Sequence, residues 1–139
     1  MTRKCKILFT FILLGMLLPG GCNLFKKYSM EGTWTIYKTV GAVETSFTAV
    51  FNGYREYGEI VVEEWGDGGY ALGSYTMDYD TELGFSLSYF EADAASTTLR
   101  DIFDGGFDDH DTMSGTVSAY NGDEVANGTW TAYRLEETL

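Results

Sequence analysis

From about residue 30 onward the chain is built of short segments in which apolar and polar residues alternate, and this period of two constrains the fold more than any other feature. Residues 83–89 are the clearest case: Leu83, Phe85, Leu87 and Tyr89 fall on one side, and Gly84, Ser86 and Ser88 on the other. Phe47, Ala49 and Phe51 likewise oppose Ser46 and Thr48, and Met113, Gly115, Val117 and Ala119 oppose Ser114, Thr116 and Ser118. Alternation of this kind belongs to strands with one buried face, because successive side chains of a strand point to opposite sides. No apolar stripe of helical period follows Met30.

Turn residues punctuate the pattern: Gly41, Asn52-Gly53, Gly66-Asp67-Gly68-Gly69, Asp78-Tyr79-Asp80, Asp104-Gly105-Gly106 and Asn121-Gly122-Asp123. Asn-Gly and Asp-Gly pairs suit the positive φ angles of tight hairpins. The segments between them predict eight strands, at about 32–40, 45–52, 58–65, 69–78, 83–91, 96–103, 112–120 and 127–136. Their spacing is that of an all-β sandwich or barrel. The sixth segment is the least defined, since 92–95 and 99–103 also suit a short helix. Ten Tyr, nine Phe and three Trp, with the single Pro at position 19, agree with strands joined by tight turns.

The first and last segments repeat one another. Gly32-Thr33-Trp34-Thr35-Ile36-Tyr37-Lys38 matches Gly128-Thr129-Trp130-Thr131-Ala132-Tyr133-Arg134 at five of seven positions, and both end on a base. A geometric explanation is that the two strands are neighbours closing an antiparallel up-and-down barrel, which would remove the exposed edges of an eight-strand meander.

The Gly32-x-Trp34 start resembles the Gly-x-Trp signature of lipocalins and related eight-stranded up-and-down barrels. In that family the Trp plugs the closed end and a late Arg packs over it. The resemblance therefore implies that Gly32, Trp34 and Arg134 close the barrel. It further implies a small apolar ligand inside, with Trp34, Phe47, Phe85, Leu87, Tyr89 and Trp130 as the candidate contacts. An eight-stranded interior is just wide enough to be filled by side chains or to hold one small ligand, and both readings stay open. Streptavidin-like and other small lipoprotein barrels fit the same features.

The N-terminus carries a second resemblance. Arg3, Lys4 and Lys6 precede the apolar run Ile7–Leu18, and Pro19, Gly20 and Gly21 lead into Cys22. That is the layout of a secretory leader, and the run is shorter than the ~20 residues that cross a bilayer. The stretch from Leu18 to Cys22 resembles a bacterial lipobox, with Pro19 where the family usually has Leu. The resemblance implies a signal peptide over 1–21, a lipid (palmitate-type) anchor on Cys22, a tether over 22–29 and a β-barrel domain over 30–139. Asn23 in place of Asp implies the outer membrane rather than the inner. The alternative is an ordinary secreted protein cut near Gly21 with a free thiol.

Formal net charge is −12, and loss of the three leader bases makes it three units more negative. Such acidity disfavours nucleic acid, whose phosphates would be repelled, and disfavours anionic headgroups, so membrane affinity must come from the anchor. It suits solubility or a cationic protein partner. No catalytic group, cofactor or metal site is expected. His110 has no second histidine, no Gly-x-Ser-x-Gly elbow is present, and Glu63-Glu64 point to opposite faces of one strand. The acidic run Asp104–Asp111 reads as a solvated hairpin loop, although carboxylates in a Gly-containing loop also suit calcium.

Overall fold

The computed structural model describes residues 28–135. The proposed leader 1–21, Cys22 and tether residues 23–27 lie outside the described residues. Eight strands follow in order: β1 (Gly32–Val40), β2 (Val43–Gly53), β3 (Tyr57–Trp65), β4 (Gly69–Tyr79), β5 (Glu82–Phe90), β6 (Leu99–Asp109), β7 (Thr112–Asn121) and β8 (Glu124–Arg134). Each pairs antiparallel with its sequence neighbour, and β8 pairs back onto β1, so the meander closes into an up-and-down barrel.

Closure rests on the repeated heptapeptide. In the antiparallel register Trp34 pairs with Arg134, Ile36 with Ala132, and Lys38 with Trp130. A local two-fold axis therefore passes between Ile36 and Ala132 and sets each Trp opposite the base that ends the other copy. The identical residues stand in related surroundings, which accounts for the echo.

The alternating inner face is as the sequence indicates. Trp34, Ile36, Phe47, Phe51, Leu83, Phe85, Leu87, Tyr89, Met113, Val117 and Trp130 are all buried. At the centre Phe85 stacks on Phe103 at 4.3 Å, and Trp130 meets both rings edge-on at 5.1 and 5.7 Å. The Trp130 indole Nε1–H donates to the Asp104 carbonyl at 3.1 Å. To reach it from β8 the ring must cross β7, and it does so beside the cross-strand glycine pair Gly105–Gly115. A Cβ on Gly115 would stand 1.9 Å from that same carbonyl oxygen. The space left by Gly115 is thus used for close strand approach and for an aromatic ring, and the middle of the barrel is filled.

β6 departs from expectation. It begins three residues later and runs to Asp109, so Asp104–Asp109 form part of the barrel wall and the β6–β7 turn is only His110 and Asp111. The reason is that Leu99, Asp101, Phe103, Gly105 and Phe107 continue one inward stripe past the Gly pair. Asp104 and Asp108 fall on the outer face, where carboxylates stay hydrated. Residues 91–98 form an irregular loop, not a helix.

One end of the barrel is closed by the chain leading into β1. Met30 is fully buried and its carbonyl accepts the Trp34 Nε1–H at 3.0 Å. Arg134 lies over the Trp34 ring at 4.3 Å. Its guanidinium donates to the carbonyls of Glu31 (2.7 Å), Ser29 (2.9 Å) and His110 (3.1 Å). Gly32, at φ +130°, lets the guanidinium approach, since a Cβ there would stand 2.8 Å from Nη1. Tyr28 and Ser29, at the end of the expected tether, pack here too, with Tyr28 against Phe107 at 5.2 Å.

Arg134→Ala removes the cation–π contact, the charge-assisted hydrogen bonds to three carbonyls and the ion pair with Asp111 at once, and should lower stability by on the order of 3 kcal/mol. Urea unfolding followed by Trp fluorescence will measure it. Arg134→Lys should recover only part of the loss, because a point charge cannot stack flat and serve three carbonyls together.

Candidate ligand site at the barrel mouth

The other end is built differently. It carries the tight turns at 41–42, 66–68 and 122–123 and the longest connection, 91–98. Two charged side chains are drawn into the bore at this end, while Glu124 stays exposed at the rim. Lys38 follows Trp34 and Ile36 on the inward stripe of β1, and Asp101 precedes Phe103 on that of β6. Lys38 Nζ reaches across the bore to Asp101 Oδ2 at 2.6 Å, and the Tyr89 hydroxyl donates to the same oxygen at 2.6 Å. Asp101 is 3% exposed. A carboxylate taken that far from water requires such partners, because desolvation otherwise outweighs any gain.

Tyr89 is the hub. Trp65 packs on its ring at 4.9 Å, Phe47 meets it edge-on at 6.0 Å, and Lys38 Nζ sits 5.2 Å from its centroid. Burial, and next the charge of Asp101, hold the Tyr89 hydroxyl far above the ordinary phenol range. Tyr89 thus stays protonated and serves as a fixed donor to Asp101. Deeper in the barrel Tyr75 is pushed up to about 12, by burial and then by Glu31, and donates to the Tyr54 carbonyl at 2.7 Å.

Above this polar floor opens a cleft of about 630 Å³ lined by Lys38, Trp65, Tyr89, Leu99 and Asp101, and by the β7–β8 hairpin. Its size falls within the range of roughly 300–1,000 Å³ typical of small-molecule sites. At the rim Arg100 lies over the Tyr120 ring at 4.3 Å. Aromatic walls around a few convergent polar groups suit a ligand with an apolar body and one polar end.

The six candidate contacts divide by depth. Tyr89 lines the mouth cleft, and Phe47 packs on Tyr89 while lining a separate groove on the barrel wall. Phe85, Leu87 and Trp130 are packed into the filled centre, and Trp34 plugs the closed end. Lys38, Trp65, Leu99 and Asp101 were not singled out by sequence. The signal was present, since period two puts Lys38 and Asp101 on the inner faces of their strands. The two meet only through the stagger of a closed barrel. His110 stands at the closed end, exposed, with Nδ1 2.9 Å from Asp111 Oδ1. Among the described residues no three His, Cys, Asp or Glu side chains converge as a metal-holding group.

In comparisons with family models, curated proteins and solved structures, none matches this chain.

Lys38→Met leaves the Asp101 charge buried with only Tyr89 to hold it, and should cost about 3–5 kcal/mol in chemical denaturation. The double variant Lys38→Met, Asp101→Leu removes both charges and should return most of that loss. Equal destabilisation of single and double variants would show that the packing of the Lys38 stem, not the charge, matters.

Proposed function

We propose that this chain is a bacterial envelope lipoprotein, held to the outer membrane through a lipid on Cys22, whose lipocalin-like barrel takes a small, largely apolar ligand at its mouth. The observation that carries the ligand reading is the pairing of a plugged end with an open one. The open end offers an aromatic cleft floored by Lys38, Asp101 and Tyr89. The lipocalin-like reading draws on Gly32-x-Trp34 at the start of β1 and on Arg134 stacked over that Trp.

The anchor reading draws on the basic start, apolar run and cysteine of residues 1–22. It also fits the barrel's polarity. Cys22 precedes Tyr28 by six residues, a reach of about 20 Å when extended, and Tyr28 packs at the plugged end. An anchored barrel would thus hold its plugged end toward the membrane and its mouth away from it. A second reading, favoured by the filled centre, is an interaction lipoprotein whose acidic surface meets a basic protein.

A solvatochromic apolar probe such as an anilinonaphthalene sulfonate should bind the folded chain at one saturable site. Trp65→Ala and Leu99→Ala should weaken it about tenfold, whereas Ile102→Ala, on the outer face of β6, should not. Equal binding by all three variants would remove the mouth as the site. For the anchor, Cys22→Ala should move the protein from the membrane fraction to the soluble fraction of envelope extracts, and retention in the membrane fraction would end that part of the proposal.

A further inference from the structure

The barrel wall has one incomplete seam. β2 pairs with β3 over only four residue pairs, Val50–Val61 to Gly53–Gly58. The other seven junctions carry between seven and ten pairs each. Beyond Val50 and Val61 the two strands continue without a ladder between them. β2 remains fully paired to β1 back to Val43, so residues 43–49 form an ordered strand with one free edge.

Which backbone groups face the gap follows from antiparallel alternation. The Tyr54 N–H bonds the Tyr57 carbonyl at 2.8 Å and closes the β2–β3 turn. Stepping back by twos from Tyr54, through Asn52 and Val50, assigns the seam-facing N–H and C=O groups to Thr48, Ser46 and Glu44. Their side chains lie on the outer face and are exposed. An open wall groove of about 560 Å³ runs along this edge, with Phe47 on its inner side and Val50 and Val61 where the ladder resumes. Glu63 and Glu64 of β3 stand on the far side, and no Lys or Arg lines it.

We propose that the β2 edge at this seam is a docking site for an extended segment of a basic partner protein, which adds to β2 as an antiparallel or parallel strand. Such addition satisfies the free N–H and C=O row, which gives affinity, while alternate side chains give specificity. Outward residues of the added strand lie beside Glu44 and Glu63 and are best basic; inward residues lie over Phe47 and are best apolar. The complementarity of a groove lined by Glu63 and Glu64, with Glu44 exposed further along β2, selects a cationic segment over an acidic one. The proposal rests on the basic-partner reading given above and supplies it with an address. It is independent of a ligand at the mouth, whose lining residues are different.

The test uses the full chain and a capped hexapeptide, Lys-Val-Lys-Val-Lys-Val, titrated by calorimetry at low and at 0.3 M salt. A peptide of the same sequence N-methylated at alternate residues cannot form the ladder and serves as the control. The expected result is binding by the parent peptide about tenfold tighter than by the N-methylated one. Thr48→Pro, which removes a seam-facing N–H and leaves the β1 ladder intact, should abolish that difference. Glu63→Lys with Glu64→Lys should weaken the parent peptide about tenfold and flatten its salt dependence.

If both peptides bind equally to the native chain, strand addition is overturned, and this result does not depend on any variant folding. If binding also ignores the Glu63→Lys, Glu64→Lys change, no acidic groove selects the peptide, and the basic-partner reading loses its support at this surface. Equal peptide binding that remains sensitive to those charges would leave the basic-partner reading standing while removing the seam.

Discussion

The antiparallel pairing of β1 with β8 is the interaction on which everything else in this barrel depends. Without it the eight strands are an open meander with two exposed edges, and the inward face has no inside to point to. With it, the stagger between strands is set, and residues far apart in sequence are brought across a common bore. The pairing register is defined by the two copies of one heptapeptide laid antiparallel, Trp34 against Arg134 and Trp130 against Lys38. A one-residue slip of β8 against β1 would turn the buried Trp130 and Ala132 outward, a penalty large enough to pin the register.

The same motif, used twice, builds two unlike ends. The difference comes from the final base and from the surroundings of each Trp. Arg134 is planar, stacks flat on Trp34 and spreads its donors over three carbonyls, so it fastens the incoming chain across the end as a plug. Lys38 is a compact charge, and its Trp is already committed to the Asp104 carbonyl and to Phe85 and Phe103. Lys38 turns instead to Asp101, on the opposite wall, and with Tyr89 forms a polar strut that ends the packed core short of the rim. One end is sealed and the other is left as a cleft.

Under the proposed function the barrel would meet its surroundings at the mouth and at the seam rather than in a hollow centre. The mouth is a cleft in which Trp65, Tyr89 and Tyr120 stand around Lys38 and Asp101. The seam between β2 and β3 is a linear feature with free backbone groups and acidic borders, a geometry matched to an extended chain. Both lie apart from the plugged end, where Tyr28 brings the N-terminal segment onto the barrel. Attachment through residues upstream of Tyr28 would therefore leave the mouth unobstructed.

Much of this architecture was legible in the residues alone. Alternation in segments such as 83–89 and 113–119 marked the buried faces. Turn residues counted the strands, and the echo of Gly32–Lys38 in Gly128–Arg134 pointed to closure. Those features are local: a strand's two faces and a turn's φ angles depend on residues within a few positions of one another. The extent of β6 is not legible locally, because the acids and glycines of Asp104–Asp109 look like a loop when read singly. Only the continuation of the Leu99–Phe107 stripe shows that they sit on the outside of a strand.

The sequence by itself determined that residues 28–135 are all-β, how many strands they form and which of their side chains face inward. Only the tertiary structure decided whether that interior is filled, that Lys38 finds Asp101 across the bore, and that β2 and β3 part company beyond Val50. These depend on how strands stagger around a closed ring and on how bulky rings share one small volume. Such constraints act between residues dozens of positions apart, and no local pattern records them.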